Sequence, residues 1–143
     1  MAVNLRGNHY RFGINELAEN THGWHAAEDA NPAAGVIQTD TVFLLRFNEQ
    51  ETGGTAASNE AATFQSNRNG AGWVNITTTS PIVQTLNGIL TNGGNCTKRL
   101  SGTGTFEASG AGQTEDGTSG GAANDIAASG NSETECGIII DAA

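Results

Sequence analysis

FQSNRNGAGWVNI, residues 64–76, consists of two short strand patterns joined at Asn69-Gly70. Asn-Gly is favoured where both central residues of a tight turn need positive φ, and the flanking aromatic and β-branched residues suit a pleated, half-buried surface. The stretch therefore reads as a β-hairpin, with Trp73 expected as a core anchor. The glycines at 70 and 72 leave its register open to a bulge.

Strand patterns continue on both sides of this hairpin. TVFLLRFN (residues 41–48) places Phe43, Leu45 and Phe47 on one face and Val42, Leu44 and Arg46 on the other. Apolar character on both faces predicts a central strand, either covered on both sides or meeting a partner on one. HYRFGI (residues 9–14) alternates Tyr10, Phe12 and Ile14 with His9, Arg11 and Gly13. In residues 134–140, Thr134, Cys136, Ile138 and Ile140 share a face. Glu133 and Glu135 fall opposite, where they are expected to serve solubility and edge protection. Shorter strands are expected near residues 80–83, 96–100 and 104–108. Residues 15–35 read as a surface loop anchored by Trp24, with one helical turn near 25–29 ended by Pro32. Residues 48–60 and 109–131 read as long polar loops.

With 143 residues, the chain has room for one domain and one core. Residues 1–8 are expected to form an N-terminal arm and residues 9–143 a single β domain. Its 20 glycines approach twice the usual share of about 7%, which leaves little scope for helices. Fifteen acidic residues against six basic ones give a net charge of −9, opposing the attraction that drives non-specific nucleic-acid binding. No apolar run reaches the roughly 18–20 residues of a membrane span, and the first residues lack a signal-peptide pattern, so synthesis in a cytoplasm is expected. Cys96 and Cys136 would either form a disulfide or pack separately as reduced thiols.

The chemical motifs are weak. His22, His25 and Glu28 have a spacing at which one helical turn would present all three to a metal, but Gly23 interrupts the motif and loop hydrogen bonding is favoured. GTSGG at 117–121 matches G-x-S-x-G, yet Ser119 lacks the preceding buried strand and following helix of a nucleophile elbow. Glu115, Asp116 and Asp125 do not repeat at calcium-loop spacing. Glu107, Glu133 and Glu135 likewise read as surface carboxylates rather than an acid–base pair. Asn75-Ile76-Thr77 and Asn95-Cys96-Thr97 match the glycosylation acceptor pattern, relevant only on a secretory route. No catalytic, metal or cofactor-binding residue is assigned, and an enzyme is not expected.

FLLRFNEQETGGTAAS (43–58), FQSNRNGAGWVNITTTS (64–80), RLSGTGTFEASGAGQTEDG (99–117) and SETECGIII (132–140) occur in that order. Together they resemble a β-sandwich module of tailed-bacteriophage virion structural proteins, over residues 10–140. The resemblance implies an all-β, immunoglobulin-like antiparallel sandwich with long polar, glycine-rich loops, displayed on the particle exterior. A head decoration protein is the expectation, binding the major capsid protein and neighbouring copies of itself, with a homo-oligomer possible and neither nucleic acid nor membrane involved. Arg6, Arg11, Val42 and Leu44 are the candidate capsid contacts. The alternative is a tail-fibre or baseplate module that binds host-surface carbohydrate by stacking Trp24 or Trp73 on a sugar ring, with Asn69 and the acids near Asp116 bonding its hydroxyls.

Overall fold

The computed structural model describes residues 2–15, 18–60, 62–108, 112–115 and 124–142. Among these, all regular structure is β: β1 (Leu5–Ile14), β2 (Phe43–Glu51), β3 (Ala57–Glu60), β4 (Gln65–Ser66), β5 (Val74–Asn75), β6 (Val83–Thr85), β7 (Gln113–Thr114), β8 (Asn124–Ile126) and β9 (Asn131–Ile140). The main sheet runs β1-β2-β9-β6, antiparallel throughout, and β7 adds a short parallel pairing to β9. Two small sheets, β3-β8 and β4-β5, complete the strand pairing.

The sheet centre follows from alternation in two strands. β2 and β9 pair Phe43 with Ile138, Leu45 with Cys136 and Phe47 with Thr134, so their apolar residues fall on one face. Tyr10 and Phe12 of β1 extend that face opposite Phe47 and Leu45. Phe64 and Ile76, at the base of the β4–β5 hairpin, pack with Phe43, Cys136 and Ile138 to close the core. Ring centroids 5.6 Å apart for Phe47–Phe64 and 5.9 Å for Phe12–Phe43 lie within the range of favourable aromatic pairs.

The Asn69-Gly70 turn forms as read: Asn69 and Gly70 have φ of 52° and 77°, and the Ala71 amide donates to the Arg68 carbonyl at 3.0 Å. Pairing stops at Ser66 and Val74, however, so residues 67–73 form a projecting tip. Trp73 lies on that tip and is 70% exposed, which overturns its expected role as a core anchor. Phe64 and Ile76 supply the buried anchor instead.

Other boundaries also move. Residues 5–8, expected in an arm, belong to β1 because they pair with the extended end of β2 through a bulge near Asn8. Asn48 to Glu51 continue β2, and part of each expected polar loop pairs as β3–β8, burying Ala57 and Ile126. Residues 25–29 form bends and a turn rather than a helical turn. Residues 96–100 and 104–108 are not strands. That region makes only isolated bridges, Asn95 to Gly112 and Phe106 to Asn131.

Candidate functional site

The second face of the sheet carries charge. Register places Arg46 opposite Glu135, Asn48 opposite Glu133 and Gln50 opposite Asn131. Arg46, Asn48, Asn131, Glu133 and Glu135 are fully buried beneath residues contributed by two irregular segments, 18–30 and 95–107. The expectation that Glu133 and Glu135 protect a solvent-facing edge is therefore wrong: β9 is internal to the sheet, and loops cover its polar face.

Arg46 organises this cluster. Its Nη1 donates to Glu133 Oε2 at 3.1 Å and to the Thr97 carbonyl at 3.1 Å. Its Nη2 donates to Glu135 Oε2 at 3.1 Å and to Glu19. Burial disfavours the guanidinium charge, but Glu135, with Glu19, more than compensates and moves its pKa upward. Glu133 also accepts the Leu100 amide at 2.7 Å and the Arg99 amide at 2.9 Å. Burial raises the pKa of the Glu133 carboxyl above its ordinary value, against the opposing pull of these donors and Arg46.

His22 completes the arrangement. Its Nδ1 lies 3.0 Å from the Gly23 carbonyl, which can only accept, and its Nε2 lies 2.7 Å from Glu135 Oε1. The Nε2 contact accordingly ties the imidazole of the covering loop to a carboxylate of β9. Arg99 donates to the carbonyls of Glu19 at 2.9 Å and His22 at 2.6 Å, and stacks at 4.3 Å on Trp24. Arg11 covers the Trp24 ring at 4.6 Å, so the loop anchor expected of Trp24 is present, clasped by two cations.

Cys96 and Cys136 are buried thiols, not joined to one another. Alternation sends Cys136 into the apolar core, whereas Cys96 lies beside Glu19 and Glu135 on the polar face. Burial pushes the Cys96 thiol pKa up, which disfavours the reactive thiolate. The side chains of His22, Arg46, Glu133 and Glu135 have no solvent exposure, so a substrate cannot reach them without displacement of the loops. The geometry suits holding those loops on the sheet.

A separate carboxylate acts at the end of β2. Glu51 accepts amide hydrogens from Ser129, Gly53, Asn4 and Gly54, which lower its pKa to about 2. Its folded pKa is below the unfolded value, so the stability it contributes is complete above the ordinary carboxylate range and is lost as pH falls toward 2. The substitution Glu51→Gln is expected to flatten the acid limb of the stability–pH curve between about pH 4.5 and 2, measured by urea unfolding across that interval.

The four candidate contact residues do not form one surface. Arg6 is exposed on β1 and Val42 is half-buried. Leu44 is 1% exposed because it faces the covered side of the sheet, and Arg11 is engaged by Trp24 and by the Ala26 carbonyl at 2.9 Å. Leu44 and Arg11 are therefore withdrawn as contacts. His22, His25 and Glu28 do not converge, since His22 pairs with Glu135 and Glu28 approaches His9. Ser119 and Asp116 lie outside the described residues. The sequence signal for the buried cluster was Arg46 itself: a cation within a strand otherwise fit for burial requires carboxylates on its neighbour, and Glu133 and Glu135 have the matching alternation.

Two surfaces are open among the described residues. β1 is an edge strand whose second half is covered, with the His25 amide bonded to the Phe12 carbonyl and the Asp29 amide to the Tyr10 carbonyl. Along residues 5–8 no strand among the described residues pairs with the outer side, and Arg6, Gly7 and Asn8 are exposed. A groove of about 280 Å³ adjoins Gly7, lined in part by Leu45, Phe47 and Phe64. At the hairpin, Trp73 and Val74 project beside a second groove of about 640 Å³ that includes Arg68, Pro81, Ile82 and Ile140. Comparisons with family models, curated proteins and solved structures give no match.

Proposed function

We propose that the chain is a non-enzymatic virion structural protein of a tailed bacteriophage, an immunoglobulin-like sandwich that decorates and stabilises the outer capsid surface. The observation that carries this reading is the exposed edge of β1 at residues 5–8, with Arg6 on it and an apolar groove alongside. An exposed edge can bind an extended segment through main-chain hydrogen bonds while an adjacent groove accepts its side chains. Arg6 favours an acidic patch on the major capsid protein. Many modest contacts of this kind, repeated over a shell, would resist internal pressure through their sum. The sequence resemblance supplies the viral context.

The test is co-sedimentation with heads of the parent virus prepared without this chain. Wild-type protein is expected to saturate them, and Arg6→Glu to bind about tenfold more weakly, equivalent to roughly 1.4 kcal/mol. The difference should narrow at high salt. Failure of the wild-type chain to bind, or equal occupancy by the variant, would count against capsid attachment through this edge.

A tail-fibre or baseplate module binding host-surface carbohydrate is the second reading, favoured by the exposure of Trp73 beside Asn69 at the hairpin tip. A sugar ring would stack on the indole. Binding on a glycan array that disappears in Trp73→Ala would support it, whereas silence on the array together with saturation of heads would remove it.

A further inference from the structure

His9, Glu28 and Asp29 form a cluster apart from the buried charges. His9 Nδ1 lies 2.7 Å from Asp29 Oδ2 and 3.3 Å from Glu28 Oε1, and one ligand atom from each of the three residues lies within 4.8 Å of the others. The carboxylates are positioned from outside the cluster: Tyr10 donates its amide to Asp29 Oδ1 at 3.0 Å, and Ser101 donates its amide to Glu28 Oε1 at 2.9 Å. The described ion pairs of both acids run to His9. An imidazole from β1 and two carboxylates from the adjacent residues 28 and 29 thus converge without a lysine or arginine ion pair among the described residues.

We propose that His9, Glu28 and Asp29 bind one first-row divalent transition ion, of the class represented by zinc, with water completing its coordination. Imidazole and carboxylate donors suit such an ion at bond lengths of about 2.0–2.2 Å. Tetrahedral coordination at those lengths separates neighbouring donors by about 3.3 Å. The His9–Glu28 distance already meets that value, and the His9–Asp29 contact has to widen by about 0.6 Å. The ion takes the place of the proton on His9 Nδ1, which leaves to solvent as the nitrogen lone pair forms the metal bond. Side-chain exposures of 25%, 21% and 45% for His9, Glu28 and Asp29 give the ion access and leave room for water. Bound there, it clips residues 28–29 to β1 and, through the Ser101 amide, to the segment over the polar face.

Calorimetric titration of the chelator-stripped full chain with zinc chloride tests the site. One ion per chain is expected, with a rise in the unfolding midpoint of about 5–10 °C at hundredfold excess over Kd, reversed by EDTA. His9→Gln should bind at least tenfold more weakly, while Cys96→Ser should retain wild-type affinity, which separates this site from the buried Glu19–Cys96–Glu135 group. Cobalt added to the wild-type chain should shift the NMR resonances of the His9 ring and the Tyr10 amide most, a readout that needs no variant. Absence of saturable zinc binding, retained affinity in folded His9→Gln, loss of affinity in Cys96→Ser, or cobalt shifts centred on His22 would each overturn the assignment.

Discussion

Replacing Arg46 with methionine is expected to lower the stability of the fold by about 3–5 kcal/mol, the usual cost of removing one partner from a buried ion pair. The substitution keeps much of the side-chain volume but leaves Glu133 and Glu135 inside the protein without their guanidinium, and removes the link to Glu19 and the Thr97 carbonyl. Denaturant unfolding at neutral pH measures the loss. The pH dependence supplies a second check. A carboxyl whose folded pKa exceeds its unfolded value favours the folded state as pH falls, so the deficit should shrink as Glu133 takes up a proton. Adding Glu135→Gln to Arg46→Met should recover part of the loss, since it removes one of the stranded charges.

Phe64→Ala is expected to cost about 3–5 kcal/mol, reflecting lost transfer energy and a cavity beneath the hairpin. Phe64 is 4% exposed and packs with Phe43, Ile76, Cys136 and Ile138, while its ring also meets Phe47. Trp73→Ala, on the same hairpin but 70% exposed, should change stability by no more than about 0.5 kcal/mol. Parallel chemical denaturation of the two variants tests the division between a buried base and an exposed tip. A larger loss for Trp73→Ala would place the anchor at the wrong end of the hairpin.

The sequence was readable wherever local geometry or apolar alternation determined the outcome. Asn69-Gly70 adopts the positive φ values those residues favour, and residues 43–48 of TVFLLRFN fall in β2, internal to the main sheet. Thr134, Cys136, Ile138 and Ile140 share a face as their spacing requires. The polar face was misread because alternation separates two sides of a strand without saying that the polar side meets water. Glu133 and Glu135 were placed on the correct side, but the loops covering that side come from residues distant in sequence.

Residues 96–108 show why strand propensity failed there. The Arg99 and Leu100 amides donate to the Glu133 carboxylate, and the Asn131 side-chain amide donates to the carbonyls of Thr103 and Thr105. Side chains of β9 thereby satisfy backbone groups that a strand neighbour would otherwise take. Gly102 permits the close approach, since a Cβ there would collide with Asn131 Oδ1 and Asn48 Nδ2. The candidate attachment surface was only partly legible. Arg6 is exposed as expected, but a strand beginning at Leu5 converts the expected arm into a sheet edge, while Leu44 is buried on the covered face of β2.

Both the attachment reading and the metal clip rest on a rigid body whose charged interior fixes its covering loops. Backbone hydrogen exchange of the wild-type chain tests that claim most directly at Arg99 and Leu100, which belong to no strand and donate to buried Glu133. Their amides are expected to exchange as slowly as those in the centres of β2 and β9, because both sets would require opening of the core. Exchange at the rate of exposed loop amides, with β2 and β9 still protected, would contradict the account.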